Sequence, residues 1–333
     1  MFGRAFAPAR SNQRMQIQIV TPASAGSTHG NRITADRWAS VFKQLGHRVD
    51  VSQTYDGKAT DLLVALHARR SYQSVKHFRQ KHPGLPIVVT LTGTDIYRDA
   101  QTDQRVRESL AMATRVVTLQ PKALECLKSN VRTKARVIYQ SVEQRKRTRA
   151  ASSFTDNFNV SVIAHLRPVK DPFRAALAAR LLPTSSRIRI LQIGRAMTDS
   201  MAMRAQAEAI RNPRYRWLGE LSQSQVQNYL SRSQICVLSS RLEGGANVLS
   251  EAIVAGVPIL ASRVDGNVGI LGDDYPGLFS VGDTRALAKL LDRAETDSVF
   301  LKELRSRVNG LAALFNRERE VLAWAELIRE LSD

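Results

Sequence analysis

Two acidic residues bracket the run Glu243-Gly244-Gly245-Ala246-Asn247-Val248-Leu249-Ser250-Glu251. An apolar stretch precedes it, so the pattern reads as a strand that ends in a glycine turn and opens directly into a helix. One carboxylate then stands in the turn and the other on the helix, beside backbone N–H groups that have no partner within the helix. This suits a sugar joined to a diphosphate: amides face the phosphates and carboxylates accept hydrogens from hydroxyls. Asn247 and Glu251 share a helix face. Glu251 is read as holding both ribose hydroxyls, and Gly244, Gly245 and Ala246 as amide donors to phosphate, the glycines allowing close approach. The plainer alternative for Glu243 is a first-turn acid favoured by the helix dipole.

A second run, His165-Leu166-Arg167-Pro168-Val169-Lys170-Asp171-Pro172, follows another apolar strand. Arg167 supplies a planar fork and Lys170 a point charge, together a diphosphate clamp. Asp171 is expected to cap the next helix, with Pro172 at its first position. Nearer the N-terminus, the small-residue loop from Thr21 to Arg32 contains Gly26, Gly30, Asn31 and Arg32. It is neither GxGxxG nor Walker A; it reads as a cradle for an anionic acceptor or as a flexible turn. His67, Arg69, Arg70, Thr94 and Asp95 sit at strand ends, where ligands dock in open α/β sheets. The histidines show no HxH or HExxH spacing and no Asp-x-Asp pair occurs, so no metal is expected and Lys, Arg and amides would neutralise a leaving diphosphate.

The surrounding elements alternate in type. Apolar strands are expected at 16–21, 48–52, 61–66, 87–91, 115–119 and 135–139, and again at 159–164, 188–193, 215–218, 235–238 and 258–261. Helices fill the gaps, and a long one is expected over 311–331. Such alternation gives parallel sheets covered by helices. The expected division is a disordered tail at 1–14, an acceptor-side domain at 15–140, a linker at 141–158, a nucleotide-sugar domain at 159–310, and a C-terminal helix at 311–333.

The 333 residues and 43% apolar content suffice for two cores. The net charge of +19, from 49 basic and 30 acidic residues, favours anionic partners. The one short basic run, Arg145-Lys146-Arg147, has no interleaved aromatics, which argues against nucleic acid. Two cysteines without CxxC spacing and a basic N-terminal stretch without an apolar core lead to the expectation of a cytoplasmic chain. No stable membrane association is expected.

The Glu243 to Glu251 run resembles the E-x7-E motif of the GT-B retaining glycosyltransferases of family 4, supported by Trp217-Leu218-Gly219 and Gly256-Val257-Pro258. The resemblance implies an α/β, GT-B fold: two doubly wound, Rossmann-like parallel-sheet domains facing a central cleft. It also implies a C-terminal helix that returns to the first domain, and a catalytic set of Glu243, His67 and Lys170. The family usually carries an arginine where His165 stands, so Arg167 is expected to replace it. Further runs are similar to the selenosugar synthase family of the selenoneine pathway: Leu63 to Ser71, Leu91-Thr92-Gly93-Thr94-Asp95-Ile96-Tyr97, Val137 to Ser141 and His165 to Pro172. This resemblance implies transfer of a hexose from UDP-GlcNAc or UDP-Glc to the selenium of selenophosphate, then Se–P cleavage. No cofactor beyond the UDP-sugar co-substrate is implied. The alternative is a conventional family 4 hexosyltransferase acting on a lipid or sugar acceptor.

Overall fold

The structure is a computed structural model that describes residues 14–27, 29–97, 102–143 and 157–332. The expected tail, except Arg14, and most of the expected linker lie outside the described residues. The first sheet contains β1 (Gln16–Val20), β2 (Arg48–Ser52), β3 (Leu62–Leu66), β4 (Ile87–Thr90), β5 (Arg115–Thr118) and β6 (Ala135–Val137). The second contains β7 (Phe158–Ile163), β8 (Ile188–Ile193), β9 (Tyr215–Trp217), β10 (Ile235–Leu238), β11 (Ile259–Ser262) and β12 (Leu278–Phe279). Both are six-stranded, in the orders β2-β1-β3-β4-β5-β6 and β12-β11-β10-β7-β8-β9, and every pairing is parallel. This is the expected GT-B arrangement. The apolar runs Leu62–Leu66 and Ile87–Thr90 are buried at every position, as strands covered on both faces must be.

Strand order reverses between β1 and β3 in the first sheet, and between β7 and β10 in the second. At such a switch point the connections leave in opposite directions and open a crevice beyond the strand ends. The segments that follow β1, β3, β7 and β10 begin at Thr21, His67, Ala164 and Ser239. They are the loops singled out above.

Helix Arg317–Ser332 lies against the first sheet's helix Gly30–Gln44. Trp324 is fully buried there, with its ring centroid 4.7 Å from Trp38 and 4.8 Å from Phe42, both edge-on. Buried Glu320 accepts from Trp38 Nε1 at 2.9 Å and from the Ser141 amide at 3.1 Å. Leu322 of this helix points into solvent. The chain therefore passes between the lobes twice, and the two passages touch: the Val142 amide donates to the Phe315 carbonyl at 3.0 Å. Trp324→Leu is expected to cost about 2 kcal/mol through lost ring contacts and a partly filled cavity. Thermal unfolding checks it, and an unchanged midpoint would contradict this anchoring.

One local expectation is corrected. Asp171 does not start a helix; it closes the short 3-10 turn Pro168–Lys170 in a left-handed conformation, φ 43°. The helix begins at Arg174, whose Nε donates to the Asp171 carboxylate at 2.9 Å. Pro172 therefore precedes the helix and does not open it.

Candidate active site

A cleft of about 620 Å³ runs between the lobes and is lined from both sheets. Its second-lobe wall is built by two loops stitched together. The Arg241 amide donates to the Val169 carbonyl at 2.8 Å, and Ser239 Oγ donates to the Asp171 carbonyl at 2.9 Å. This holds the Lys170 loop against the turn after β10. Lys170 Nζ consequently donates to the buried Glu243 carboxylate, which also accepts from Ser240 Oγ. Arg167 and His165 line the same wall. The Arg195 amide donates to His165 Nδ1 at 3.2 Å, which leaves the proton of a neutral ring on Nε2.

Glu251 lines the cleft from helix Asn247–Val254. Burial pushes its carboxyl up to about 7, and the positive charge of Arg37 opposes that rise. Gly244, Gly245, Ala246 and Asn247 also line the cleft. The glycines have a further task that the sequence reading did not assign. A Cβ on Gly244 would lie 2.5 Å from the Thr92 carbonyl, and one on Gly245 would lie 2.7 Å from Leu119 Cβ. The absent side chains thus let the two lobes touch. Gly244→Ala is expected to destabilise this closed arrangement by about 2 kcal/mol, as overpacking does. A larger radius of gyration in small-angle scattering checks it; unchanged scattering and unfolding would contradict the contact.

On the first-lobe wall, His67 ends β3 with a left-handed φ of 69°. Its Nε2 lies 3.0 Å from Thr94 Oγ1, and its Nδ1 lies 3.7 Å from the Asp95 carboxylate. His67, Arg70, Thr94, Gly30 and Asn31 all line the cleft. Asp95 does not. It is fully buried and accepts from the backbone amides of Ala68 at 2.9 Å, Thr92 at 3.0 Å and Gly93 at 2.8 Å. Expected to touch acceptor, it instead fastens the two loops that present His67 and Thr94.

Three other expected acceptor residues also lie away from the cleft lining. Arg32 turns to Asp36 on its own helix, at 2.7 Å. Arg69 Nε pairs with Asp103 at 2.8 Å. Gly26 makes a turn with φ 72°. Arginine charge and a small-residue loop mark candidates in sequence, but neighbouring carboxylates decide which arginines turn inward.

The structure adds His29 to this wall, at the start of helix Gly30–Gln44. Its ring centroid lies 5.7 Å from that of His165, so the two lobes meet ring to ring. Burial, reinforced by Arg167, Arg195 and Arg70, holds His29 below the ordinary imidazole range, while Glu220 opposes the shift. Arg70 and Arg167, one from each lobe, line the cleft near this contact. His29 was visible in sequence as a loop residue beside the cradle; Arg195 carried no signal. Among the described residues, no group of three or more His, Cys, Asp and Glu could hold a metal ion, and no helix is long and apolar enough to cross a membrane.

Two facing parallel-sheet lobes with the Glu-turn-helix wall define a GT-B glycosyltransferase. Residues 144–310 match the family Glycosyl transferases group 1, and the chain belongs to it. The fold is similar to that of HepE from Anabaena, solved in complex with UDP-glucose, with a TM-score of 0.73, 16% identity and coverage of 96% of this chain and 100% of that one. It is similar to sucrose-phosphate synthase from Thermosynechococcus elongatus, with a TM-score of 0.75, 18% identity and coverage of 96% and 99%. A glycosyltransferase from Rickettsia africae aligns with a TM-score of 0.72, 13% identity and coverage of 96% and 99%.

Proposed function

We propose that this glycosyltransferase takes a hexose, GlcNAc or Glc, from a UDP-sugar and places it on the selenium of selenophosphate. The donor occupies the second-lobe wall: Glu251 accepts both ribose hydroxyls, Lys170 and Arg167 face the diphosphate, and the Gly244–Ala246 turn offers amides. HepE, bound to UDP-glucose in the same fold, supports a uridine nucleotide donor. Glu243 orients donor hydroxyls and His67 faces the sugar. The C1–Se bond forms as the bond from C1 to the diphosphate oxygen breaks, and UDP leaves. Water then attacks phosphorus, the Se–P electron pair stays with selenium, and phosphate departs. Selenophosphate is already anionic at neutral pH, so the first step needs no general base.

The observation that carries the acceptor assignment is the pair Arg70 and Arg167, which line the cleft from opposite lobes beside the His29–His165 contact. Such a pair attracts a small anion that must lie close to a second anion, the donor diphosphate. Incubation with selenophosphate and several UDP-sugars, read by mass spectrometry, is expected to yield a seleno-hexose and UDP. Turnover of a UDP-sugar onto a lipid or sugar acceptor, with none onto selenophosphate, would establish the conventional hexosyltransferase instead.

A further inference from the structure

Arg37 belongs to the first lobe, on helix Gly30–Gln44, yet its Nη1 donates to Asn247 Oδ1 of the second lobe at 3.1 Å. Asn247 is the first residue of the helix that carries Glu251. The Asn247 carboxamide also lies beside Gly30 of the first lobe, where a Cβ would stand 3.6 Å from Asn247 Nδ2. The two lobes are thus joined beside the carboxylate assigned to the ribose. We infer that Arg37 is a positioning residue for the nucleoside subsite: reaching across the lobe boundary, it fixes the Asn247 end of the helix that presents Glu251 to a ribose. The inference rests on the proposed ribose role of Glu251.

The charges around this pair are few. Arg37 is attracted by Glu320 of helix Arg317–Ser332, by Glu251 and by Glu143 of the crossing segment, and is repelled by Arg317. Glu251 is affected by Arg37, and its own charge acts on the buried Cys236 thiol of β10. Glu320, Glu143 and Arg317 lie where the chain crosses between lobes, so the residue that senses the nucleoside is also set by the crossing. A carboxylate receives two hydroxyl donors only when deprotonated. Burial raises the Glu251 carboxyl to about 7, so this task is finely balanced near neutrality. Removing the cation moves the balance towards the neutral acid.

The test is the dissociation constant of UDP by calorimetry, for Arg37→Met and Arg37→Lys, each divided by the wild-type value at the same pH. At pH 7, Arg37→Met is expected to bind about ten-fold more weakly, with part of that loss, the share due to the missing cation, recovered at pH 8.5. Arg37→Lys keeps the charge and is expected to follow the wild-type pH profile. No loss in Arg37→Met at either pH would overturn the inference. Glu251→Gln is the separate control: if it binds UDP as tightly as wild type, the ribose role itself fails. If it weakens binding while Arg37→Met shows no loss, only the Arg37 inference fails.

Discussion

Lys170→Met is expected to lower kcat for sugar transfer by about a thousand-fold while leaving UDP-sugar KM within a few-fold. The Lys170 ammonium has a partner within the protein, since it donates to Glu243. Ground-state binding of a diphosphate must compete with that partner and gains little. As the bond to C1 breaks, negative charge grows on the departing diphosphate and the ammonium is drawn towards it. Stabilisation therefore appears in the transition state, where preorganised charge is worth about 3–4 kcal/mol. Methionine fills a similar volume, so the lobe should still fold, although Glu243 is left buried with Ser240 as its remaining close donor. Steady-state kinetics with the donor varied separate the two parameters. A fall in affinity equal to the fall in kcat would make Lys170 a binding residue, and a fall below ten-fold would remove it from the chemistry.

Glu251→Ala is expected to weaken UDP binding by roughly a hundred-fold, or about 3 kcal/mol, because two charge-assisted hydrogen bonds disappear together. The loss should be nearly the same for UMP, since the deleted contacts are to ribose and not to phosphate. Uridine diphosphate lacking both ribose hydroxyls should bind wild type and variant alike. Calorimetry on those three ligands isolates the contact. An undiminished affinity for UDP, or a penalty that persists with the ligand lacking hydroxyls, would remove the ribose assignment.

The alternation of strands and helices was legible because many strands, such as Ile87–Thr90 and Leu62–Leu66, are written in apolar runs bounded by turns. The loops after β1, β3, β4, β7 and β10 were singled out by their glycines and charged or polar residues at strand ends, before any strand order was known. The second-lobe wall was readable for the same reason: Glu243, Gly244 and Glu251 are local in sequence, and Lys170 follows a strand end of the same sheet. Asp95 was misread because a polar residue at a strand end looks alike whether it faces ligand or ties down backbone amides. Arg32 and Arg69 were misread because the carboxylates that claim them, Asp36 and Asp103, are ordinary helix-surface residues in the sequence. Arg37 was not visible at all. Its partners Asn247 and Glu320 lie far along the chain, and nothing within one helix turn distinguishes it from the many other arginines.

The contact of Trp324 with Trp38 has a consequence for the order in which the protein matures on the ribosome. All strands of the first sheet are made by residue 137, yet helix Gly30–Gln44 still lacks the cover supplied by Arg317–Ser332. The second sheet is synthesised whole before that cover emerges. The half made first is therefore the half completed last, and throughout elongation it displays an indole and a phenyl ring that attract chaperones or misdocked neighbours.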